Sequence, residues 1–292
     1  MSNRSPNSAT HLTNRLALET TILTHGVPRE NALALAEDLA AIARSHGAIP
    51  ALVGLFRGEP VVGMSDEQLR AVLATTDVPK VNTSNLGVLM HRRSHGSTTV
   101  ATTMELAAGA GVRVFSTGGI GGVHKGYGTH MDISADLIAL TRFPVAVVAS
   151  GVKSILDVVA TRELLETLGV PVVGFGCDAF PAFYLRSSGA RVDARFDDVN
   201  DLARFIDAEM RRTGKGVLVA NPIPEADELP QARFGEWLAA AEREAKPGRE
   251  ATPTTLAALH RLSEGATLRA NLALIRSNTA LGARLAAAIA AV

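Results

Sequence analysis

The amino-acid sequence predicts an α/β protein in which helices cover a central mixed, largely parallel sheet, in an α/β/α sandwich-like arrangement. Short apolar runs of strand length alternate with longer segments of helical period, most clearly from Thr98 onward. Helix-containing connections between strands favour parallel pairing. With 47% hydrophobic residues in a chain of 292, the protein can bury a substantial core between these layers.

The first half of the chain opens with a buried strand and a helix. Apolar spacing predicts the helix over residues 29–46, and Gly47 closes it. The next apolar run, 49–64, is interrupted by Arg57-Gly58-Glu59-Pro60, which indicates a strand, a turn and a second strand. The predicted elements here are a strand at 15–20, the helix at 29–46, two strands within 49–64 and a helix at 66–75.

The second half carries the clearer alternation. Ser154 with Asp157 three residues later resembles a capping box, and Gly169 ends the helix that this pair would begin. The last helix, 276–292, is rich in alanine and can pack either on its own domain or on another subunit. The predicted elements are helices at 98–108, from 134 and at 154–168, strands at 112–115, 144–150, 170–175 and 217–220, and a helical tail from 231 interrupted near 247–253.

Composition narrows the classes of function. The 29 basic and 29 acidic residues balance, so nothing points to nucleic acid or an anionic membrane as partner. The single cysteine, Cys177, excludes an intrachain disulfide and a cysteine metal cluster and suits a reducing compartment. Residues 1–14 form a polar tail without the apolar core of a signal peptide, and no run reaches the length of a membrane span. We therefore expect one globular domain over 15–292 in a soluble, cytoplasmic protein.

A glycine-rich stretch at 116–136, STGGIGGVHKGYGTHMDISAD, is the first candidate ligand site. Glycines let a backbone approach an anion closely, and successive N–H groups can form a phosphate nest. The spacing matches neither the Rossmann nor the Walker pattern. On its local pattern, a structural turn is as well supported as a ligand loop.

Lys153 is the candidate nucleophile. It follows the strand that ends near Ser150 and precedes the helix predicted to begin at Ser154. A helix N-terminus and an apolar wall both disfavour the ammonium form, which is how an amine becomes nucleophilic at neutral pH. Its position alone is equally consistent with an ordinary surface lysine.

Two further groups suit a sugar phosphate. Glu19 ends the first strand and is followed by threonines and His25, at the strand end where open α/β folds bind ligands. Lys80 precedes the run 96–99, GSTT, which opens a helix and can supply N–H groups and hydroxyls to phosphate. A buried structural carboxylate, a solvated lysine and a plain N-cap are the alternative interpretations.

Seven ordered blocks make the chain similar to the pseudouridine-5'-phosphate glycosidase family from about Ala17 to Leu281. Their order and near-gapless spacing carry the resemblance. The blocks are ALETTILTHGVP (17–28), GSTTVATTM (96–104), STGGIGGVH (116–124), MDISADL (131–137), SGVKSILD (150–157), NPIPE (221–225) and LRAN (268–271).

The resemblance implies a homotrimeric α/β/α enzyme that uses a divalent metal, usually Mn²⁺, one per subunit. It implies a reversible lyase-type or glycosidase reaction on the carbon–carbon bond between uracil and ribose 5-phosphate. By position it implies Lys153 as the Schiff-base lysine, Glu19 as acid/base, Asp132 as metal ligand, Ser134, Ala135 and Asp136 as the substrate-contacting run, Lys80 and Val100 as substrate-binding positions, and His124 and Asn271 as further pocket residues. Thr99 is an additional substrate-binding candidate beside Val100, and Asp136 a second catalytic one.

This chemistry is physically reasonable because a C-glycoside has no leaving oxygen or nitrogen for simple acid catalysis. A lysine amine on C1' can expel the uracil carbon as that carbon is protonated, with Glu19 handling the protons of ring opening and Asp136 assisting.

The segment after Lys80, VNTSNL at 81–86, departs from the basic stretch typical of the family. A related enzyme that joins ribose 5-phosphate to another aromatic carbon acceptor is therefore the leading alternative. It would be supported by an enlarged apolar base pocket near 81–95. A third hypothesis is a sugar-phosphate-binding protein without catalytic activity.

Overall fold

The protein is described here by a computed structural model that covers residues 14–244 and 251–292. Its strands are β1 (Arg15–Glu19), β2 (Ile49–Phe56), β3 (Glu59–Val62), β4 (Lys80–Val81), β5 (Gly96–Thr98), β6 (Val114–Ser116), β7 (Ala146–Ala149), β8 (Val172–Phe175), β9 (Ala194–Phe196) and β10 (Val217–Ala220). Its helices are α1 (Thr21–His25), α2 (Ala32–Ser45), α3 (Asp66–Ala74), α4 (Leu86–His91), α5 (Val100–Gly109), α6 (Tyr127–His130), α7 (Ala135–Arg142), α8 (Val158–Thr167), α9 (Val199–Thr213), α10 (Gln231–Glu244), α11 (Ala251–Leu262) and α12 (Ala266–Ala290).

The strands form one sheet in the order β4-β5-β2-β1-β6-β7-β10-β8-β9, with β3 paired to β2. Among the strand pairings of the described residues, only those of β2 with β3 and with β5 are antiparallel. The central neighbours β1, β6 and β7 run parallel, with Leu16 beside Val114 and Val114 beside Ala146. The predicted mixed, largely parallel sheet is confirmed, and parallel pairing brings the carboxyl ends of these three strands to the same edge.

The core lies on both faces of the sheet because successive strand residues point to opposite sides. Leu16 and Leu18 of β1 pack with residues of α2, α9 and α12 on one face. Ala17, between them, belongs to the second core cluster with residues of α5 and α7. This alternation, with helices on each side, is the predicted α/β/α sandwich.

Most of the predicted elements are present, and the differences have local causes. The helix expected at 29–46 is a 3-10 turn, Arg29–Asn31, followed by α2. Strands β4, β5 and β9 have two or three residues each, too few to give a recognisable period. The sequence interpretation also passed over α9, although Asp198 caps its N-terminus and Gly214, with φ +68°, ends it.

The C-terminal helix starts ten residues before the predicted Arg276, at Ala266. It packs on α2, α9 and the central strands of its own sheet, which is one of the two placements considered for it. Apart from Asn14, the polar tail 1–14 lies outside the described residues, as does most of the predicted interruption at 247–253. Across the helices that the structure describes, none has the length and apolar character needed to cross a membrane.

Candidate active site

The candidate site lies where the central parallel strands end. Glu19 is the last residue of β1, Thr117 follows β6, and Lys153 lies four residues after the end of β7. All three line a cavity of about 400 Å³. The topology thus brings together two groups, Glu19 and Lys153, that are 134 positions apart in the sequence, at the strand ends where α/β folds bind ligands.

Glu19 is a buried carboxyl group whose pKa lies near neutral pH. Its side chain accepts a hydrogen bond from the Thr117 hydroxyl, and only 7% of the residue is exposed. Burial raises the pKa of Glu19 from 4.5 to about 7, and the negative charge of Asp136 adds to this, although Lys153, Thr117 and Lys80 lower it. A carboxyl group with this pKa can both donate and accept a proton near neutral pH.

Lys153 is positioned by a backbone ladder between two loops. Ser150 N–H donates to Gly118 O at 2.9 Å, Ile120 N–H donates to Gly151 O at 3.0 Å, and Lys153 N–H donates to Ile120 O at 3.1 Å. Gly151 has φ +70°, and a Cβ there would lie 1.9 Å from Pro181 O. Only glycine fits this position, so the turn that presents Lys153 depends on it.

The capping box predicted at Ser154 is wrong. Helix α8 begins at Val158, and its N-cap is Asp157, whose side chain accepts from Ala160 N–H at 2.9 Å. The Ser154 hydroxyl instead donates to Ala182 O at 2.6 Å. Lys153 therefore does not adjoin a helix N-terminus, because the hydroxyl expected to cap a helix has a tertiary partner.

Lys80, on the short strand β4, lines the same cavity. Burial lowers the pKa of Lys80, and the charge of Lys153 lowers it further, while Glu19 raises it. Within the described parts of the chain, neither lysine has a carboxylate within 4.0 Å. Two ammonium groups without a close ion-pair partner beside one acid give the cavity an electropositive end suited to an anion.

The glycine-rich loop contains glycines in two different surroundings. Gly118 and Gly119 line the cavity, and no group in the described residues accepts their N–H hydrogens. Gly121 instead lies where a Cβ would meet Ser134 Oγ at 2.3 Å, and Gly122 where it would meet Thr161 Oγ1 at 2.3 Å. The N–H groups of Gly118 and Gly119 are therefore free to bind a ligand, whereas Gly121 and Gly122 permit close packing against Ser134 and Thr161.

Asp136 joins three segments behind the cavity. Its Oδ1 accepts from Ala101 N–H at 2.9 Å and its Oδ2 from Gly121 N–H at 2.8 Å. Its own N–H donates to the Ser134 hydroxyl, the N-cap of α7. The side chain is 5% exposed and is not among the groups that line the cavity. This geometry orients the start of α5 and the glycine-rich loop.

The other residues expected at the start of α5 and α7 also lie behind the cavity lining. Val100, the first residue of α5, is buried, and Ala135 begins α7. Thr99 caps α5 through its backbone, but its hydroxyl is buried and has no hydrogen-bond partner in the structure. Thr99 N–H donates to Val81 O at 3.0 Å, so the backbone of Thr99 adjoins the strand that carries Lys80.

Helices α11 and α12 complete the cavity. Asn271 of α12 lines it and donates weakly to Gly26 O at 3.4 Å. The sequence interpretation missed Phe183, whose φ of +61° is unusual for an aromatic residue. Further lining residues that it missed are Ile22, Val27, Ile155, Tyr184, Leu256, His260 and Leu268. Apart from His260, no local pattern distinguishes these residues from core residues.

Asn278 of α12 is a buried polar residue that the sequence interpretation also missed. Its amide donates to Thr117 O at 2.8 Å and to Gly118 O at 3.2 Å. Its Oδ1 accepts from Asn221, in the NPIPE block, at 2.8 Å. The sequence signal that could have identified Asn278 is an asparagine within an alanine-rich helix. The structure shows that it is fully buried, and a buried amide requires hydrogen-bond partners.

His124 and Asp132 lie together, but away from the cavity lining. His124 N–H donates to Asp132 O at 3.0 Å across a hairpin-like loop, and His124 Nδ1 lies 3.7 Å from Asp132 Oδ2. No set of three or more His, Cys, Asp or Glu side chains in the described regions is arranged to hold a metal ion. One imidazole and one exposed carboxylate fit a hard cation that keeps most of its ligands as water.

The altered segment 81–95 does not line the cavity. It forms the end of β4 and helix α4, where Arg92 and Arg93 are exposed. Residues 81–95 therefore contribute no apolar wall to this cavity. The apolar wall of the cavity comes instead from α1, α11, α12 and the loop around Phe183.

Comparison with known proteins identifies the family of this chain. The family described as Indigoidine synthase A like protein matches residues 9–288. A pseudouridine-5'-phosphate glycosidase of Nocardioides sp. is 46% identical, with 93% of this chain and 90% of that protein covered. The corresponding protein of Geobacillus kaustophilus is 43% identical, with 93% and 92% covered.

Two solved structures share the fold. The prealnumycin C-glycosynthase AlnA, in complex with ribulose 5-phosphate, superposes with a TM-score of 0.88 at 34% identity, covering 95% of this chain and 92% of that one. An indigoidine synthase A-like protein from Thermotoga maritima gives 0.86 at 35% identity, covering 97% and 98%.

Proposed function

Because this chain belongs to the indigoidine synthase A-like family, we propose that it is a pseudouridine-5'-phosphate glycosidase. It reversibly converts pseudouridine 5'-phosphate and water to uracil and ribose 5-phosphate. The observation that carries the proposal is the shared cavity of Lys153 and Glu19, in which burial raises the pKa of the acid to about 7. An amine and a proton-transfer group side by side are what Schiff-base chemistry on a sugar requires.

In the proposed mechanism, protonated Glu19 donates to the ribose ring oxygen while the Lys153 amine attacks C1', and the ring opens. The new C1'–N nitrogen then loses a proton and uracil C5 takes one up. The nitrogen lone pair forms the C=N bond as the bond between C1' and C5 breaks. Water hydrolyses the imine, releasing ribose 5-phosphate and restoring the amine. Glu19, now a carboxylate, accepts a proton from that water. Asp136 supports these steps by orienting the loops and by raising the pKa of Glu19.

The phosphate is assigned to the electropositive end of the cavity. Lys80 supplies charge there, and the N–H groups of Gly118 and Gly119 supply donors. Thr99 adjoins the strand that carries Lys80, and its buried hydroxyl lacks a hydrogen-bond partner. Helix α5 begins at the next residue, Val100, so its N-terminus is close to the same strand. Ser134 and Ala135, at the N-terminus of α7, are the remaining proposed contacts of the substrate.

We further propose Asp132, with His124, as the binding position for one Mn²⁺ per subunit. A bound ion would supply positive charge and ordered water at this loop. The two side chains contribute a carboxylate and an imidazole nitrogen, both compatible with that metal.

A homotrimer is the proposed assembly. Large apolar side chains are exposed on the surface, among them Met131 at 75% and Val159 at 50%, and association of subunits would bury side chains of this kind. A reducing cytoplasm is the proposed location, because the single cysteine, Cys177, cannot form an intrachain disulfide.

A C-ribosylating enzyme is the second candidate function. The cavity is walled by Ile22, Val27, Ile155, Leu256 and Leu268, which would also suit a larger aromatic acceptor. The solved relative is named as a C-glycosynthase in complex with ribulose 5-phosphate. It therefore supports a C-ribosylating enzyme that binds a five-carbon sugar phosphate.

The deciding experiment is borohydride trapping followed by mass spectrometry. With pseudouridine 5'-phosphate and Mn²⁺, the wild type should release uracil and yield a reduced sugar-phosphate adduct on Lys153. Lys153→Ala should abolish both, with a loss of at least ~10³-fold in turnover, because no other amine takes the covalent role. Lys215→Ala, which removes a lysine bonded to Leu168 O, is the matched control.

Each other outcome has a defined meaning. Release of uracil by Lys153→Ala, or an adduct on another residue, contradicts the mechanism. Trapping of ribose 5-phosphate without uracil exchange, but with ribosylation of a polycyclic phenol, favours the second candidate. Binding without any adduct would identify a silent sugar-phosphate-binding protein.

A further inference from the structure

His260 is a cavity-lining group that the proposed mechanism does not use. It lies on α11, half-buried, and shares the cavity wall with Leu256, Leu268 and Asn271. Burial alone lowers the pKa of His260, with no contribution from the lysines. By contrast, Lys153 and Lys80 lower the pKa of Glu19, and Lys153 lowers and Glu19 raises that of Lys80. Burial therefore favours the neutral form of His260, and the charged groups of the cavity do not contribute to its pKa.

Hydrogen bonding determines which ring nitrogen of His260 carries the proton. Nδ1 lies 2.7 Å from Thr267 Oγ1, and Thr267 Oγ1 lies 2.9 Å from Ser263 Oγ. The Ser263 hydroxyl donates to His260 O at 3.3 Å. Each hydroxyl has one hydrogen, so if Ser263 donates to the carbonyl, Thr267 must donate to Ser263, and Nδ1 must donate to Thr267. This is the one assignment that satisfies all three contacts.

This tautomer makes Nε2 of His260 a hydrogen-bond acceptor. With hydrogen on Nδ1, Nε2 carries a lone pair, and no side chain or backbone group of the described residues donates to it. Thr267 is fully buried and Ser263 is 3% exposed, so the network that sets this tautomer is shielded from water. A neutral acceptor repels phosphate oxygens but suits an N–H hydrogen.

We propose that His260 is a specificity-determining residue that accepts a hydrogen bond from a ring N–H of the nucleobase through Nε2. This inference rests on the proposed function and assigns the base to the end of the cavity formed by α11 and α12. Apolar Leu256 and Leu268 would contact the base's flat faces, and His260 would distinguish bases that carry an N–H group from those that do not.

The test uses the synthesis direction, in which uracil and ribose 5-phosphate are varied separately. His260→Leu should raise the KM for uracil ~10-fold, in the range expected when a hydrogen bond to a buried donor is lost. The KM for ribose 5-phosphate and the yield of the trapped Lys153 adduct should stay within about twofold. His260→Gln, whose amide oxygen is also an acceptor, should recover much of the uracil affinity. Thr267→Val, which releases Nδ1, should give an intermediate KM.

A second arm changes the base. Pseudouridine 5'-phosphate methylated at N1 or at N3 should be a ~10-fold poorer substrate for the wild type at one of the two positions. His260→Leu should not discriminate against that methylated substrate. An unchanged uracil KM in His260→Leu, or equal discrimination by wild type and variant, would overturn the inference while leaving the proposed function intact. Failure of the wild type to form any adduct would instead remove the proposed function.

Discussion

The two ends of the cavity are built differently. The floor, with Glu19, Thr117 and Lys153, is formed by the ends of neighbouring parallel strands and by loops joined through backbone hydrogen bonds. The roof, with Leu256, His260, Leu268 and Asn271, comes from side chains on two helices near the C-terminus. Covalent chemistry needs fixed geometry, whereas recognition of a flat base needs apolar surface and a few polar atoms. The comparison predicts that changes in the floor affect the reaction itself and that changes in the roof affect affinity for the base.

The largest effect is expected from Glu19→Gln. The amide cannot transfer a proton, so kcat should fall by ~10²- to 10⁴-fold. In the wild type, the step that needs protonated Glu19 should weaken as pH rises through about 7, and this limb should be missing from the residual activity of the variant. Rate measurements from pH 5 to 9 check it, and an unchanged limb in Glu19→Gln would assign the titration to another group.

The same carboxyl group makes a prediction for stability. Its pKa is higher in the folded chain, about 7, than the unfolded value of 4.5, so its favourable contribution is complete below 4.5 and is lost as pH rises through 7. The wild type should lose up to about 3 kcal/mol relative to Glu19→Gln across this window. Denaturant unfolding of both proteins at pH 5 and pH 8 measures the difference.

Gly151→Ala tests whether floor geometry, rather than composition, positions Lys153. The added Cβ would meet Pro181 O in a backbone with φ +70°, so the loop must shift. We expect a loss of about 2–4 kcal/mol in unfolding free energy and a much lower yield of trapped adduct. Gly128→Ala, where a Cβ meets nothing within 4 Å, is the control. Unchanged trapping in Gly151→Ala would show that the loop need not be rigid.

The smallest effect is expected at the roof. Asn271→Ala removes an amide whose bond to Gly26 O is long, at 3.4 Å, so stability should change by less than about 1 kcal/mol. The uracil KM should rise ~3- to 10-fold, with trapping by ribose 5-phosphate retained. Leu268→Ala provides an apolar comparison in the same wall. A loss of trapping in Asn271→Ala would mean that the roof also holds the sugar, and the distinction between the two ends would fail.

The helix start at Ser154 shows where local sequence reasoning stops. Ser154 and Asp157 have the spacing of a capping box, but a carbonyl 28 positions away, Ala182 O, accepts the Ser154 hydroxyl. The argument that placed Lys153 at a helix N-terminus was therefore wrong, even though the residue does line the cavity with Glu19. What prepares the cavity is burial and neighbouring charge, which depend on the packed structure.

By itself, the sequence determined the layered α/β architecture, because the periods of 3.6 and 2 are local properties of side-chain spacing. Its ordered blocks also identified the family and indicated Glu19, Lys80, Lys153 and Asn271 as cavity residues. Tertiary structure alone decided that Asp136 binds two backbone N–H groups and that His124 and Asp132 lie apart from the cavity lining. It also decided that His260 completes the opposite wall. These contacts join segments far apart in the chain, and only the order of the strands brings them together.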